Sequence, residues 1–532
     1  MACFRPKILV GVACAMTAAL SGSAFAATAD NIAKDVAANQ QTMNQNRFVL
    51  RSVDVQLNAE LPLKHPEKMR AVTHRYLGKN VSLDDLNAMR DGITEVYRNE
   101  GYSAATAYIP PQGIQNGNVR VLMLKGTLGG INIINNSKVD NKILAGKAAV
   151  LKDGEVATEK KIEDLLYDLN GIHGVKATGT LVPGVSIGST ALNIVVDDTD
   201  TYRGVLYTDN YGNKSTGKHR YGLLNYFYDI DQHGTDATLG LLFSNKKMHD
   251  YSFDINTYAK PFLSRTKIGL SVDRSSYELG NEFSNLGMNG WSTTYKLYGT
   301  TPAYESMRHG LNYTYGFRFR DIHDDIDTFG LSSKAHSQAV FATVSGHDRW
   351  KNRTVNFEAT AIAGVHVNDS AYANLLGQMN RTDGGFFKLT GEENYYNQFD
   401  PRWTFKNHTE VQLTDKDIDS SEKMSVGGIN GVRAYPNGEF PADYGVLFRN
   451  AFSYQTGDPN CSLDVFFDAA NATDKLSGEN RSLYGYGIEA NYSTANDFFL
   501  KATYARRIGL YDGASKDANS KGRFWFLAGK MF

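Results

Sequence analysis

One arginine and two aspartates are spaced so that an ion pair could form between a loop and a strand. Arg433 lies in "SVGGINGVRAYPNGEFPADYG" (425–445), whose five glycines and two prolines predict a long loop. Asp464 and Asp468 lie in "LDVFFDAAN", where polarity alternates as in a strand. Because arginine and a carboxylate can form two parallel hydrogen bonds, the chemistry that these residues offer is binding of a loop tip to a strand.

The alternation predicts which way the aspartates point. One face of the strand carries Val465, Phe467 and Ala469, and the other carries Asp464, Phe466, Asp468 and Ala470. If the strand crosses a membrane, carboxylates on its lipid face would be costly, so Asp464 and Asp468 are expected to face the interior. From these residues alone, an ordinary solvated loop arginine remains the alternative to a buried pair.

Other polar clusters do not predict catalysis. The acidic runs "DIHDDID" and "DKDIDSSE" lack the glycine and spacing of a calcium loop, so we interpret them as solvated loops. The histidines are scattered, and no phosphate-binding loop or nucleophile elbow is present. We therefore expect neither an enzyme nor a bound metal or cofactor.

The elements that would position Arg433 and Asp468 form a long series of alternating segments from Tyr202 to Phe532. We count about sixteen such segments, and the chain is long enough to give each strand about 9–11 residues. Their alternation of apolar and polar residues is typical of a membrane barrel with an apolar outer face and a polar interior. They begin near Tyr202, Lys218, Gly234, Met248, Thr266, Trp291, Arg308, His336, Arg353, Gly385, Arg402, Gly445, Ser462, Arg481, Asp497 and Gly522. A soluble sandwich or propeller is the alternative, but the last segment, "GRFWFLAGKMF", ends on Phe532, an aromatic that suits the closing strand of a barrel.

Two smaller units of a different kind precede this series. Residues 48–126 and 127–199 each predict the element order β-α-α-β-β, with Ser82 and Thr158 as helix N-caps. Each unit is small but within the size range of domains that fold alone.

The N-terminus and the composition set the compartment. Residues 1–26 have the basic start, apolar run and small residues of a secretory signal peptide, and 27–47 predict a tether or a short helix. Removal of Cys3 and Cys14 with the signal would leave Cys461 without an intramolecular partner.

The mean hydropathy of −0.39 and the absence of a long apolar run after the signal exclude a helical membrane protein. The net charge of −1 argues against nucleic acid as a partner, whereas 30 Tyr, 27 Phe and 50 Gly suit a barrel with aromatic girdles.

Several motifs resemble those of a known family. The segment "GYSAATAYIPPQ" with Tyr108, Pro110, Pro111 and Gln112 resembles a first POTRA domain, and "YTDNYGNKSTGKHR" with Asp209, Asn210, Tyr211 and Gly212 resembles a first barrel strand. "GGINGVRAY", with Gly427, Gly428, Val432, Arg433 and Tyr435, resembles the Val-Arg-Gly-Tyr motif of a sixth extracellular loop, and "FFDAA", with Phe466 and Asp468, resembles its partner motif Phe-x-Asp-x-Gly. The whole mature chain thus resembles the two-partner secretion transporters of the outer membrane, the ShlB/FhaC/HecB-type haemolysin activation/secretion proteins (TpsB), among the POTRA-bearing barrels.

The resemblance implies both a fold and a function. The fold is a transmembrane β-barrel of 16 antiparallel strands (200–532) after two periplasmic α/β POTRA domains (48–126 and 127–199), with the loop 414–445 folded inward and Arg433 bound to Asp468. The function is recognition of an unfolded exoprotein of the TpsA type by the POTRA domains, near 104–110, and its translocation through the barrel. The expected chain is monomeric, contacts outer-membrane lipid, and meets the barrel-assembly machinery through its C-terminal strand. A barrel-assembly or insertion factor and a passive porin are the alternatives.

Two departures from the family pattern carry structural expectations. Alanine replaces glycine at Ala434 and Ala470, which adds a methyl group where loop and wall should be closest. The 21 residues from Ala27 to Arg47 are too few for both a pore-plugging helix and its tether.

Overall fold

The computed structural model describes residues 47–56, 62–114, 116–156, 158–185, 189–245, 247–259, 265–495, 497–509 and 520–532. The predicted signal peptide and residues 27–46 of the predicted tether lie outside the described residues. The chain divides into two compact units, Met1–Thr127 and Leu128–Phe532. The first contains one α/β module, and the second contains another α/β module together with a barrel.

The first module is a three-stranded sheet with two helices. Its elements are β1 (Phe48–Val49), β2 (Ser52–Gln56), α1 (Pro66–His74), β3 (Asn80–Val81), α2 (Leu83–Asn99), β4 (Thr106–Tyr108) and β5 (Asn118–Leu124). The sheet order is β2-β5-β4, with β2 parallel and β4 antiparallel to the central β5, so β2 and β4 are its edges. The hydroxyl of Ser82 accepts a hydrogen bond from Asp85 N, and Asp85 in turn accepts from Ser82 N, which starts α2 where the sequence predicted.

The second module repeats this arrangement. It contains β6 (Thr127–Asn135), α3 (Asn141–Ala148), α4 (Glu159–Asn170), β7 (Val175–Pro183) and β8 (Ser189–Asp198), in the sheet order β6-β8-β7. Thr158 caps α4 through a hydrogen bond from Lys161 N, and the apolar face of α4 is buried at Leu165 and Leu169. The structure therefore contains two α/β modules, as the sequence predicts.

The rest of the second unit is a closed barrel of antiparallel strands. The sixteen strands are β9 (Tyr202–Asp209), β10 (Arg220–Phe227), β11 (Asp236–Ser244), β12 (Met248–Tyr258), β13 (Lys267–Glu278), β14 (Met288–Glu305), β15 (His309–Ile326), β16 (Leu331–Arg349), β17 (Arg353–Asn368), β18 (Gly384–Gln398), β19 (Trp403–Thr414), β22 (Tyr444–Gln455), β23 (Cys461–Asp474), β24 (Glu479–Ser493), β25 (Phe498–Arg507) and β26 (Gly522–Met531). The predicted strand number is confirmed. The largest error in a strand start is at β16, because "LSSKA" does not alternate in polarity and so gives no periodic pattern.

Short polar contacts hold the second module against one end of the barrel. Asp236, at the start of β11, accepts hydrogen bonds from His173 Nδ1 and Lys267 Nζ at 2.9 and 2.8 Å. Asp168 of α4 accepts from Lys147 Nζ at 2.8 Å and lies 3.7 Å from Arg265 of the barrel. These contacts identify the module end of the barrel, and the loop between β19 and β22 opens from the opposite end.

Few other elements lie between the barrel strands. A helix, α5 (Ala371–Asn380), connects β17 to β18, and the short pair β20 (Met424–Ser425) and β21 (Pro441–Ala442) lies in the loop between β19 and β22. Short 3-10 helices occupy Asn281–Leu286, Asp327–Phe329 and Ser420–Glu422. Within the described ranges, no helix is both long and apolar enough to cross a membrane.

Candidate functional site: a loop bound inside the barrel

The loop between β19 and β22 is a closed hairpin. Its two limbs pair at Met424 opposite Ala442 and at Ser425 opposite Pro441. The fully buried Asp443 accepts hydrogen bonds from Ile418 N at 3.0 Å and from Lys475 N at 2.7 Å. Its carboxylate therefore ties the two limbs to each other and to the connection after β23. We call residues 415–443 the inner loop.

Arg433 lies at the tip of the inner loop and contacts Asp468 on β23. Its Nε and Nη2 donate to the two carboxylate oxygens of Asp468 at 2.9 and 2.7 Å, and its backbone N donates to Oδ2 at 3.1 Å. Both residues are buried, with 4% and 0% of their surface exposed. A two-point charged pair with a third backbone bond fixes the direction of the guanidinium as well as its position.

Two more wall residues complete the surroundings of the guanidinium. Nη1 of Arg433 lies 3.3 Å from Glu489 Oε2 on β24, and Cζ lies 3.4 Å from the centre of the Phe466 ring. Burial without such partners would cost an arginine several kcal/mol, which here is offset by two carboxylates and an aromatic face. We call Arg433, Asp468, Glu489 and Phe466 the tip site.

The tip of the inner loop packs on the inner wall of the barrel. On β23, Val465 and Phe467 are exposed on the outside, whereas Asp464, Phe466 and Asp468 are buried. The loop therefore lies in the lumen, and its apolar residues form one buried cluster with the wall: Met424, Val426, Val432, Ala434, Tyr435 and Ala442 from the loop, and Leu447, Ala451, Phe466, Ala470, Ala472, Leu483 and Ala505 from the wall.

The structure explains how alanine fits at positions 434 and 470. Ala434 does not have a positive φ, so its backbone conformation has no need of glycine. Its methyl group lies opposite Gly485 of β24, where an added Cβ would be 2.8 Å from Ala434 Cβ. The space left by Gly485 accommodates the methyl of Ala434, and both Ala434 and Ala470 are buried without loss of the Arg433–Asp468 contact.

The two glycines before the tip have separate roles. Gly428 has a φ of +105°, and a Cβ there would lie 1.7 Å from Asn437 Oδ1. That Asn437 oxygen accepts a hydrogen bond from Ile429 N at 2.8 Å, which stabilises the turn. Gly427 N donates to Glu439 O at 3.3 Å, so it joins the two limbs.

The four motif residues at the end of the first strand make contacts on both of its sides, to β10 and, across the seam between the first and last strands, to β26. Asp209 accepts from Arg220 Nε and Nη2 at 2.8 and 3.0 Å, which joins β9 to β10. Tyr211 contacts Trp525 of β26 edge to face at 6.0 Å, and Gly212 N donates to Lys218 O at 3.0 Å within the hairpin.

The inner loop also reaches this seam. Trp525 Nε1 donates to Arg433 O at 2.8 Å, and Asn437 Nδ2 donates to Tyr211 O. One loop tip thus contacts β23 and β24 through its arginine side chain, and β26 and the end of β9 through its backbone and Asn437.

Asn210 extends the seam beyond the region where its strands pair. The register of β26 with β9 covers five residue pairs, from Leu527 opposite Asp209 to Met531 opposite Val205. Beyond them, Asn210 Nδ2 donates to Phe524 O at 2.9 Å and its Oδ1 accepts from Phe526 N at 2.8 Å. Asn210 N also donates to Phe526 O at 3.3 Å, so this residue continues the seam beyond the paired register through both its backbone and its side chain.

Replacement of Asn210 by alanine should weaken the seam. Two hydrogen bonds to backbone groups are lost, each contributing about 1 kcal/mol, so we expect the temperature at which the folded barrel unfolds to fall by several degrees. Unfolding is measured by the heat-dependent change in electrophoretic mobility of the full chain. Asn352→Ala, at a turn where the side chain makes one 3.2 Å bond to Asn397, is the matched control; equal stability of the two variants would contradict the role of Asn210.

The residues predicted to contact a partner in the first module are not equivalent. Tyr108 is 41% exposed at the end of edge strand β4, next to Pro110 and Pro111. Gln112, in contrast, uses its side chain within the module: Nε2 donates to Arg120 O at 2.8 Å and Oε1 accepts from Arg120 N at 2.9 Å. Because Pro110 has no N–H with which to continue β4 along β5, Gln112 takes over that pairing.

Phe532, the last residue, lies beside the first barrel strand, β9. Its backbone N and O pair with Gly204 O and N at 2.9 and 2.7 Å. A Cβ on Gly204 would lie 2.3 Å from the Phe532 ring, so the glycine leaves room for the ring. The C-terminal aromatic thus belongs to the seam, at the module end.

The sequence did not single out several of the residues that hold the loop. The alternation of polarity in "LYGYGIEANY" puts Glu489 on the polar face of its strand, a signal that indicates an inward carboxylate but does not identify its partner. Trp525, Asn437 and Glu422 could not be found in this way, because each contacts a segment distant in sequence.

A search for similar proteins agrees with this geometry. Residues 188–492 match the family model "Haemolysin secretion/activation protein ShlB/FhaC/HecB", and residues 48–126 match "POTRA domain, ShlB-type". The heme/hemopexin transporter protein HuxB of Haemophilus influenzae is 27% identical over 469 residues, which cover 86% of this chain and 79% of HuxB. The outer membrane transporter CdiB of Dickeya dadantii is 22% identical over 420 residues, covering 75% and 72%. The solved structure of CdiB from Escherichia coli has the same fold, with a TM-score of 0.66 at 14% identity over 97% of this chain and 100% of that one.

Proposed function

Because the chain belongs to the haemolysin secretion/activation protein family ShlB/FhaC/HecB, we propose that it translocates one unfolded exoprotein through its barrel to the cell surface. Members of this family are transporters that act with a secreted protein partner. The barrel lies in the outer membrane and the POTRA modules lie in the periplasm, so the second module meets the pore at its periplasmic entrance.

The observation that carries this proposal is the buried inner loop. A loop that occupies the lumen and is held there by non-covalent contacts between its tip and the wall can close the pore at rest and move when cargo enters. A passive porin would need a permanently open lumen. The buried Arg433–Asp468 pair therefore favours a gated conduit.

We further propose that the POTRA modules capture the exoprotein by addition of an extended segment at the exposed end of β4. An unpaired strand edge offers main-chain hydrogen bonds, and the exposed ring of Tyr108 adds apolar surface. One group on this edge is already used: Ala107 N donates to Thr94 Oγ1 of α2 at 2.9 Å. A bound segment would have to displace the Thr94 hydroxyl or bond beyond Ala107, towards Tyr108 and Pro110. The backbone N and O of Arg120 in β5 cannot bind the segment, because both are already hydrogen-bonded to the Gln112 side chain.

Deletion of the gene tests the proposal. We expect a β-helical exoprotein encoded beside it to disappear from the cell surface and the medium, while other outer-membrane barrels stay at their normal levels. Complementation by the full chain should restore secretion. Normal secretion of that exoprotein together with a loss of other barrels would instead identify an assembly factor. Steady ion conductance without any effect on secretion would identify a porin.

A further inference from the structure

A second charged site binds the inner loop, away from its tip. Glu422 ends the 3-10 helix Ser420–Glu422 on the first limb of the loop and is 3% exposed. Its carboxylate contacts Arg318 Nη2 and Arg320 Nη1 at 2.5 and 3.0 Å, and Lys388 Nζ at 2.8 Å. These three cations come from the barrel strands β15 and β18.

Main-chain bonds add to the same site. Lys388 Nζ also donates to Glu422 O at 3.0 Å, and Arg320 Nη1 donates to Ser421 O at 2.7 Å. Gln412 Nε2 of β19 bridges Glu422 O and Asp443 O at 3.2 and 2.9 Å. The contact thus fixes both the carboxylate and the backbone of this limb.

The charges at the two sites are reversed. At the tip site the loop contributes the cation, Arg433, and the wall contributes the carboxylates Asp468 and Glu489. At the second site the loop contributes the carboxylate, Glu422, and the wall contributes the cations Arg318 and Lys388, which are 8% and 7% exposed.

The two sites also lie on different strands of the wall. In the closed strand order, Arg318 and Arg320 on β15 are six strands from Asp468 on β23, whereas Lys388 on β18 is only three strands from it. Glu422 and Arg433 are eleven residues apart along the chain. The inner loop therefore bridges two separate parts of the wall, with one charged contact at each.

We propose that Glu422 is a positioning residue that braces the inner loop against a second part of the wall, away from the tip site, so that the pore opens only when both charged contacts are broken. Loss of the Glu422 carboxylate leaves three buried or half-buried cations without their counter-ion, which favours any arrangement that admits water to them. The loop then keeps its tip contacts and its main-chain bonds but loses the charged contact of Glu422, so it swings more readily out of the lumen.

Single-channel recordings of the full-length protein in planar lipid bilayers test this. Glu422→Gln keeps the side-chain shape and removes the charge, and we expect pore openings to become about tenfold more frequent or more. Asp419→Asn is the matched control, because it neutralises a carboxylate three residues earlier on the same loop while an amide oxygen can still accept the bond from Ser421 N. Its opening frequency should equal that of the unmodified protein.

A charge exchange separates positioning from a general loss of structure. Glu422→Lys combined with Lys388→Glu keeps the number of charges and exchanges their places. The new lysine meets a carboxylate at position 388 but still faces Arg318 and Arg320, so the opening frequency should fall below that of Glu422→Lys alone and return only part of the way to normal. Folding of every variant is checked by heat-modifiable mobility. Unchanged gating in a folded Glu422→Gln protein, or no rescue by the exchange in a folded double variant, would overturn the proposal.

The combination with the tip variant tests the two-contact idea directly. Glu422→Gln added to Arg433→Ala should raise the opening frequency beyond that of Arg433→Ala alone, and an equal frequency would show that Glu422 does not brace the loop. This inference rests on the proposed function in one respect, because both require that the inner loop moves to open the pore. Conductance is recorded without cargo, however, so failed secretion with normal gating would count against the exoprotein assignment alone.

Discussion

Reversal of the charge at Arg433 is expected to abolish control of the pore. In Arg433→Glu, a new carboxylate would lie beside Asp468 and Glu489 in a buried site, where the native guanidinium makes contacts at 2.7 to 3.3 Å. Removal of one partner from a buried ion pair costs about 3–5 kcal/mol, and a like charge adds repulsion. The loop tip should leave its site, and exoprotein secretion should fall by about tenfold or more because the loop no longer returns to one closed state.

The matched experiment exchanges the two charges. Arg433→Asp with Asp468→Arg restores one ion pair, but the new aspartate also faces Glu489 and no longer stacks on Phe466, so rescue should be partial. Adding Glu489→Gln to the exchange should improve the rescue, because it removes the remaining repulsion. Secretion is measured in cells and conductance in bilayers.

The control for Arg433 is an arginine outside the lumen. Arg402 is exposed at a turn of the module end, and its Nη1 lies 3.4 Å from the Tyr454 hydroxyl. Arg402→Glu should leave secretion and conductance unchanged. If Arg433→Glu behaves in the same way as Arg402→Glu, the lumenal contact has no role in gating.

Replacement of Gly487 by alanine should have the largest effect on the stability of the barrel wall. A Cβ at this position would lie 2.0 Å from Tyr504 O on β25 and 2.6 Å from Cζ of the Phe466 ring. The first of these atoms is backbone and cannot rotate away, so β24 and β25 must separate. Overpacking of this kind costs about 1–3 kcal/mol or more, and displacement of Phe466 would also loosen Arg433. We expect less folded protein in the membrane and a lower unfolding temperature by heat-modifiable mobility.

Two further variants make the Gly487 result specific. Gly457→Ala is the control, since a Cβ there has no atom within 4 Å and its φ is not positive. Phe466→Leu combined with Gly487→Ala removes the ring contact and leaves the carbonyl contact, so stability should recover only in part. Wild-type unfolding of Gly487→Ala would contradict the close packing described for this strand pair.

The alternation of polarity made the barrel and the direction of its side chains predictable. A strand repeats every two residues, so "LDVFFDAAN" alone placed Phe466 and Asp468 on the inner face, where the structure has them buried. The caps of α2 and α4 at Ser82 and Thr158 were also predictable, because helix capping depends on residues within one turn. The alternation did not predict the start of β16, where polar and apolar residues do not alternate.

Contacts between distant segments could not be predicted from such patterns. Gln112 has the same sequence context whether it binds a partner or, as here, the backbone of Arg120. Whether the methyl group of Ala434 fits between the loop and the wall likewise depends on two facts that the local sequence does not contain. They are the φ of residue 434 and the presence of Gly485 on the facing strand.

By itself, the sequence determined that the chain has two α/β modules and a barrel of about sixteen strands, and that a strand with inward aspartates and a long loop with an arginine are both present. Only the tertiary structure decided that the loop lies inside the lumen and is held at two places on the wall. Its arginine is held by Asp468 and Glu489 near the seam, and its Glu422 by cations of β15 and β18. The physical reason is that periodicity and capping are local properties of the chain, whereas the partner of a buried charge is whichever opposite charge the closed barrel brings within about 3 Å.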